Sequence, residues 1–100
     1  MPELTVISWR EIPAQVTAGT GRHAARVQLS ERFQEAIDAA AMRAGMIGTD
    51  TYLEQWRRDA RPCGDDLEAE AVAAAAQLER DYPDARLEQL VRASGEEETP

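Results

Sequence analysis

The stretch from Arg26 to Gly45 does most to narrow what this chain can fold into. Arg26-Val27-Gln28-Leu29 alternates polar and apolar side chains, the period of a strand with one face buried, and Ser30 leads directly into a helical period. Phe33, Ile37, Ala40, Ala41 and Ala44 then fall on one helix face. The Ser30 hydroxyl can cap that helix, and Glu31 and Glu35 lie in its first two turns, where the helix dipole favours negative charge. Gly45 suits a left-handed stop, so the pattern predicts a strand feeding a helix over 30–44.

On either side the same signals continue. Leu4–Trp9 is rich in β-branched and aromatic residues, and Glu11-Ile12-Pro13 interrupts it because proline cannot donate to a ladder. A second strand is predicted over Ala14–Ala18, then a Gly19-Thr20-Gly21 turn and the alternating run Arg22–Leu29. The result is a hairpin, or a three-stranded meander if the first strand joins. Downstream, Thr49 or Thr51 can cap a helix over 50–60 whose apolar face is Tyr52, Leu53, Trp56 and Ala60, ended by Pro62. Asp65 and Glu68 open a helix over 65–82 with Leu67, Ala71, Ala74 and Leu78 as its stripe. Its alanines, Ala73–Ala76, allow a neighbouring helix to approach closely. A last helix is predicted over 85–93, and residues 94–100 read as a disordered acidic tail.

One hundred residues suffice for one domain with a modest core, here spanning 1–93. The longest apolar run is Ala71–Ala76, and the start shows no signal-type leader, so no membrane association and a cytoplasmic location are expected. The single cysteine, Cys63, cannot pair internally, and its acidic surroundings favour an inert loop thiol. Residues 1–61 carry eight arginines against eight carboxylates, whereas residues 62–100 carry three against eleven. The whole net charge of −8 therefore sits in the last two fifths, where it repels phosphates and suits either solvation or a basic partner surface. Lysine is absent, which removes Schiff-base chemistry and lysine-dependent phosphate loops.

Candidate catalytic groups are few. His23 sits beside a predicted turn as an idle, exposed imidazole, and His23 with Cys63 is too small a set for zinc. Asp65, Asp66, Glu68 and Glu70 lack the spacing and glycine of a calcium loop. No cofactor is implied. The residues that ask for a reason are Trp9, Arg10, Trp56, Arg57 and Arg58, because tryptophan and arginine combine large buried area with directional hydrogen bonds at binding hot spots. For each tryptophan two readings stand open, closing the core between the sheet and the second helix or anchoring a partner. Ile12-Pro13-Ala14-Gln15-Val16 adds an extended edge that a partner strand could pair with or that proline protects.

The order strand, capped helix, glycine, capped helix resembles a ribbon-helix-helix unit, with Leu29, Phe33, Ile37, Ala40 and Gly45 in matching places. That resemblance implies a DNA-binding regulator or antitoxin reading bases through Arg26 and Gln28. The chain departs from it in two extra residues after Gly45, a preceding strand and an acidic C-terminal half that opposes DNA binding. A wider resemblance covers nearly the whole chain. Thr5–Val16, Gln28–Phe33, Ala39–Gly45 and Tyr52–Arg58, with Asp65–Glu70 and Leu78–Tyr82, resemble short members of a small bacterial virulence factor domain family, common in alphaproteobacteria. The resemblance brings no catalytic residues. It implies an accessory role in one-carbon or methionine metabolism, with methylenetetrahydrofolate reductase or a corrinoid or methyltetrahydrofolate methyltransferase as partner.

The sequence thus predicts an α+β domain: a small N-terminal antiparallel sheet of two or three strands, over residues 4–29, packed against three to four helices. The predicted function is that of a non-enzymatic protein-binding module, with Trp9, Arg10, Ile12, Trp56, Arg57 and Arg58 as partner-binding residues. Nucleic acid is disfavoured, and a homo-oligomer stays open. The alternative is the ribbon-helix-helix regulator.

Overall fold

A computed structural model of the protein describes residues 2–96. The elements are β1 (Glu3–Trp9), β2 (Ile12–Ala18), β3 (Ala25–Gln28), α1 (Glu31–Arg43), α2 (Asp50–Glu54), β4 (Trp56–Pro62), α3 (Leu67–Asp81) and α4 (Asp84–Arg92), with a single 3-10 turn at Gly21–His23. The fold is α+β, as predicted, with one antiparallel sheet in the order β3-β2-β1-β4. Around it α3 packs against β2 and β3, α1 against β2, and α4 against α1, while Tyr52 of α2 packs on Trp9 at the end of β1 and on Trp56 at the start of β4.

The core follows from the alternation. Leu4 stands opposite Ala18, and Val6, Val16 and Val27 form a row across three strands. Leu4, Val16 and Ala18 are buried beneath Phe33, Ile37 and Ala40 of α1, Ala71, Ala74 and Ala75 of α3, and Leu87 and Leu90 of α4. The small side chains of α3 let its backbone settle closely, and the neighbour they serve is the sheet, where a helix was predicted. Between Ile7 and Ser8 the β1–β2 register slips by one, leaving Ala14 as the extra residue of a bulge. Pro13 sits at that bulge, which is how an inner strand accommodates a residue without an N–H.

Four expectations need correction. Residues 50–60 do not form one helix, because α2 ends at Glu54 and Trp56–Pro62 pairs with β1, adding a fourth strand. The apparent helical stripe was accidental: Leu53 is 65 % exposed, and Ala60 is also exposed. Ser30 occupies the cap position of α1, yet its hydroxyl donates to Glu79 Oε1 at 2.9 Å while its N–H donates to Glu79 Oε2 at 2.8 Å. The cap of α3 is Asp66, accepting from Ala69 N–H, and Thr49 rather than Thr51 caps α2.

The fourth correction concerns the C-terminus. Residues 94–96 are ordered against the fold; 97–100 of the predicted tail lie outside the described residues. Gly95 N–H donates to Leu90 O, and Gly95 O accepts from Glu11 N–H at 2.8 Å. Gly95 has φ 87°, and a Cβ there would stand 2.8 Å from Trp9 Cζ3, so both backbone sign and space demand glycine.

Candidate functional site

Residues directly opposite one another in a sheet share a face. By register, Thr5 and Ile7 of β1 align with Thr17 and Gln15 of β2, Arg26 and Gln28 of β3, and Ala60 and Arg58 of β4. Each of these side chains is exposed or half-buried, and none belongs to the core cluster, so this face of the sheet is left open by the helical layer. At the end of the sheet nearest the β1–β2 turn it sinks into a shallow depression of about 560 Å³. Ile7, Ala14 and Trp56 give it an apolar floor, with Gln15, Gln28, Gln34, Arg57 and Arg58 around them.

An apolar centre ringed by amide and guanidinium groups is the composition of a docking patch, where burial supplies affinity and the polar rim supplies direction. Trp56 is half-buried and packs edge-on against Tyr52, 6.2 Å between centroids, while Tyr52 stacks on Trp9 at 5.7 Å. The three rings form a ladder from surface to core, which fixes Trp56 with little rotamer freedom left to lose on binding. Arg57 Nη1 bonds Glu11 Oε1 at 2.9 Å, an exposed pair worth at most about 1 kcal/mol. Arg58 is exposed.

The six residues predicted to bind a partner therefore divide. Trp56, Arg57 and Arg58 meet at the depression. Trp9 and Ile12 are 0 % exposed, and Trp9 Nε1–H donates to Tyr52 O at 3.0 Å, so both belong to the core and present no surface. Arg10 is a clamp. Its backbone takes φ 51° in the β1–β2 turn, and its guanidinium donates to Gln55 Oε1 at 3.1 Å, to Ser94 O at 2.8 Å and to Met46 Sδ. It ties the turn to the α2–β4 junction and the end of α4. Sequence reasoning missed Ile7 and singled out Gln15 and Gln28 only for other roles, because a strand position gives no sign of which face the helices leave bare.

Other chemistry-bearing groups stand apart from this face. His23 is exposed on the 3-10 turn, and Cys63 is buried after β4, where burial pushes its thiol up and Glu70 adds to the shift against the smaller opposing effect of Arg61. Among the described residues, no group of three or more histidine, cysteine or carboxylate side chains is arranged to hold a metal. Arg32 bridges the helices by donating to Glu79 O at 2.8 Å, to Glu79 Oε1 at 3.0 Å and to Asp84 Oδ1 at 3.2 Å. Burial opposes ionisation of Glu79, but the hydrogen bonds from Ser30 and Arg32 outweigh it and hold its carboxyl below the ordinary carboxylate range. A second, larger depression runs along α4 to Glu96, at the limit of the described residues. Among the described residues, no helix is long and apolar enough to cross a membrane.

A family model described as virulence factor matches residues 7–91. The matched span contains β2, β3, β4, α1, α2 and α3 whole, α4 up to Val91 and the last three residues of β1, and with them every residue lining the open-face depression. Comparison with curated proteins and with solved structures gives no match.

Proposed function

The chain belongs to the virulence factor family, and from that premise we propose that it acts as a non-catalytic accessory protein that docks on a larger protein through the open face of its sheet. The observation that carries the proposal is the depression around Ile7 and Trp56, apolar at its centre and edged by Arg57, Arg58, Gln15, Gln28 and, from α1, Gln34. The family's description names a phenotype and no reaction, so the chemistry of the partner has to come from elsewhere. Folate-dependent one-carbon enzymes, namely methylenetetrahydrofolate reductase and corrinoid or methyltetrahydrofolate methyltransferases, are the first candidates, by the association that the resemblance implies.

The test is direct binding of the purified protein to each of these enzymes from the same cell, with Trp56→Ala and Arg58→Glu variants alongside. We expect micromolar binding that weakens about tenfold or more in both variants, the usual cost of a central aromatic or arginine anchor, while Arg58→Glu keeps a melting temperature near that of the parent and Trp56→Ala, which loses its packing on Tyr52, melts lower but stays folded. Absence of binding to any of the enzymes would remove the one-carbon assignment. Binding untouched by either substitution would remove the open face.

A further inference from the structure

The strand β4 presents a problem that the monomer does not solve. Residues 57–62 are exposed on both faces, so the strand gains almost nothing from burial and is held by its ladder with β1. Among the described residues its other edge is free, because β4 is terminal in the sheet. Proteins usually protect such an edge with charged side chains, a bulge or an early proline, and of these β4 has only the charges of Arg57, Arg58, Asp59 and Arg61. The β1–β4 register runs without a slip from Glu3 to Trp9, and the proline of β4 comes only at its end, at Pro62.

The register also determines which backbone groups the edge offers. Cys63 N–H donates to Pro2 O and Arg10 N–H donates to Gln55 O, one bond at each end of the ladder. In an antiparallel pair, bonded and non-bonded residues alternate, so Arg57, Asp59 and Arg61 turn their N–H and C=O towards β1. Trp56, Arg58 and Ala60 turn theirs outward, and Pro62, which has no N–H, closes the usable edge.

We infer that this edge pairs with the β4 of a second copy, antiparallel about a two-fold axis at Arg58, joining two four-stranded sheets into one. In that register Trp56 faces Ala60 of the second copy, Arg58 faces its own mate, and every outward N–H and C=O of the three residues is satisfied. Between these bonded pairs lie the closer, non-bonded ones. They set Arg57 against Asp59 and Asp59 against Arg57, an opposite-charge pair on each side of the axis.

Neighbouring registers are worse. An axis at Asp59 opposes aspartate to aspartate and Arg57 to Arg61. An axis at Ala60 brings Pro62 opposite Arg58 and leaves a carbonyl without a donor. The one like-charge pair of the favoured register, Arg58 with its mate, falls at the wider spacing, where both side chains can splay over the open face. A two-fold axis perpendicular to the sheet keeps both open faces on the same side. The dimer therefore presents two depressions flanking one seam. This assembly is independent of which partner, if any, the open face takes.

Sedimentation equilibrium of the intact protein tests it, with three variants. Wild type is expected to be a reversible dimer. Ala60→Pro removes an N–H only from the free edge and is expected to be a folded monomer. Arg57→Asp should weaken dimerisation about tenfold or more, and combining it with Asp59→Arg should restore it, because the exchanged charges again face opposite ones. A wild type that stays monomeric up to roughly 1 mM, beyond which affinity is too weak to matter, overturns the inference. So does a dimer that a folded Ala60→Pro variant retains, or one that the double exchange fails to rescue.

Discussion

At the scale of single residues, the β1–β2 turn is locked from three directions, and Gly95 is where that lock is tightest. Its positive φ and the 2.8 Å approach of Trp9 Cζ3 act together, so Gly95→Ala both strains the backbone and displaces a fully buried indole. We expect a loss of about 2 kcal/mol or more, read as a lower urea midpoint, although the change lies close to the chain's end. Glu79 provides the pH-dependent counterpart. Its folded pKa is depressed, so the stabilisation it provides is complete above the ordinary carboxylate value of about 4.3 and disappears as pH falls through the lower folded value. Glu79→Gln should therefore destabilise by roughly 1 kcal/mol near neutrality and flatten the acid limb of a stability-against-pH curve. An acid limb as steep as that of the parent would mean that other carboxylates dominate it. Cap positions were legible only as places: Ser30 stands where its residue type predicted, but Glu79, forty-nine positions away, claims its hydroxyl.

Among the elements, legibility followed burial. The strands β1, β2 and β3 and the helices α1, α3 and α4 bury one face each, and the period of their apolar residues reveals them. Trp56–Pro62 buries neither face beyond Trp56, so its side chains carry no alternation, and its strand state comes from backbone pairing with a segment about fifty residues earlier. For the same reason the candidate site was half legible. Residue type singled out Trp56, Arg57 and Arg58, but it could not separate a tryptophan on the surface from Trp9, whose burial depends on the fold. The ladder makes a sharp prediction for amide exchange in dilute solution. The N–H groups of Arg57, Asp59, Arg61 and Cys63 should exchange slowly, and those of Arg58 and Ala60 fast. Uniform fast exchange through Trp56–Pro62 would mean that the strand is not formed, and uniform slow exchange at low concentration would mean that its outer edge is already covered.

For the molecule as a whole, the charge division becomes a division between two sides. The carboxylates of α3 and α4, Glu68, Glu70, Asp84 and Glu88 among them, belong to the helical layer, whereas Arg26 and Arg58 stand on the open face. A partner approaching the open face meets positive charge at short range within a protein of net charge −8, and the two contributions oppose each other over different distances. At physiological ionic strength the screening length is about 8 Å, so the far helical carboxylates are largely screened while the arginines beside the contact still act. Association through the open face should therefore depend on the arginines and little on the helices. Arg26→Glu with Arg58→Glu is expected to raise the dissociation constant about tenfold or more, mainly by slowing association, and Asp84→Asn with Glu88→Gln to leave it within about twofold. The reverse result, with the helical variants weakening binding and the sheet variants silent, would move the docking surface to the acidic side, where a basic partner would be the match. Measuring both pairs by surface plasmon resonance at two salt concentrations decides between them, because steering by Arg26 and Arg58 should fade as salt rises and apolar contact at Ile7 and Trp56 should not.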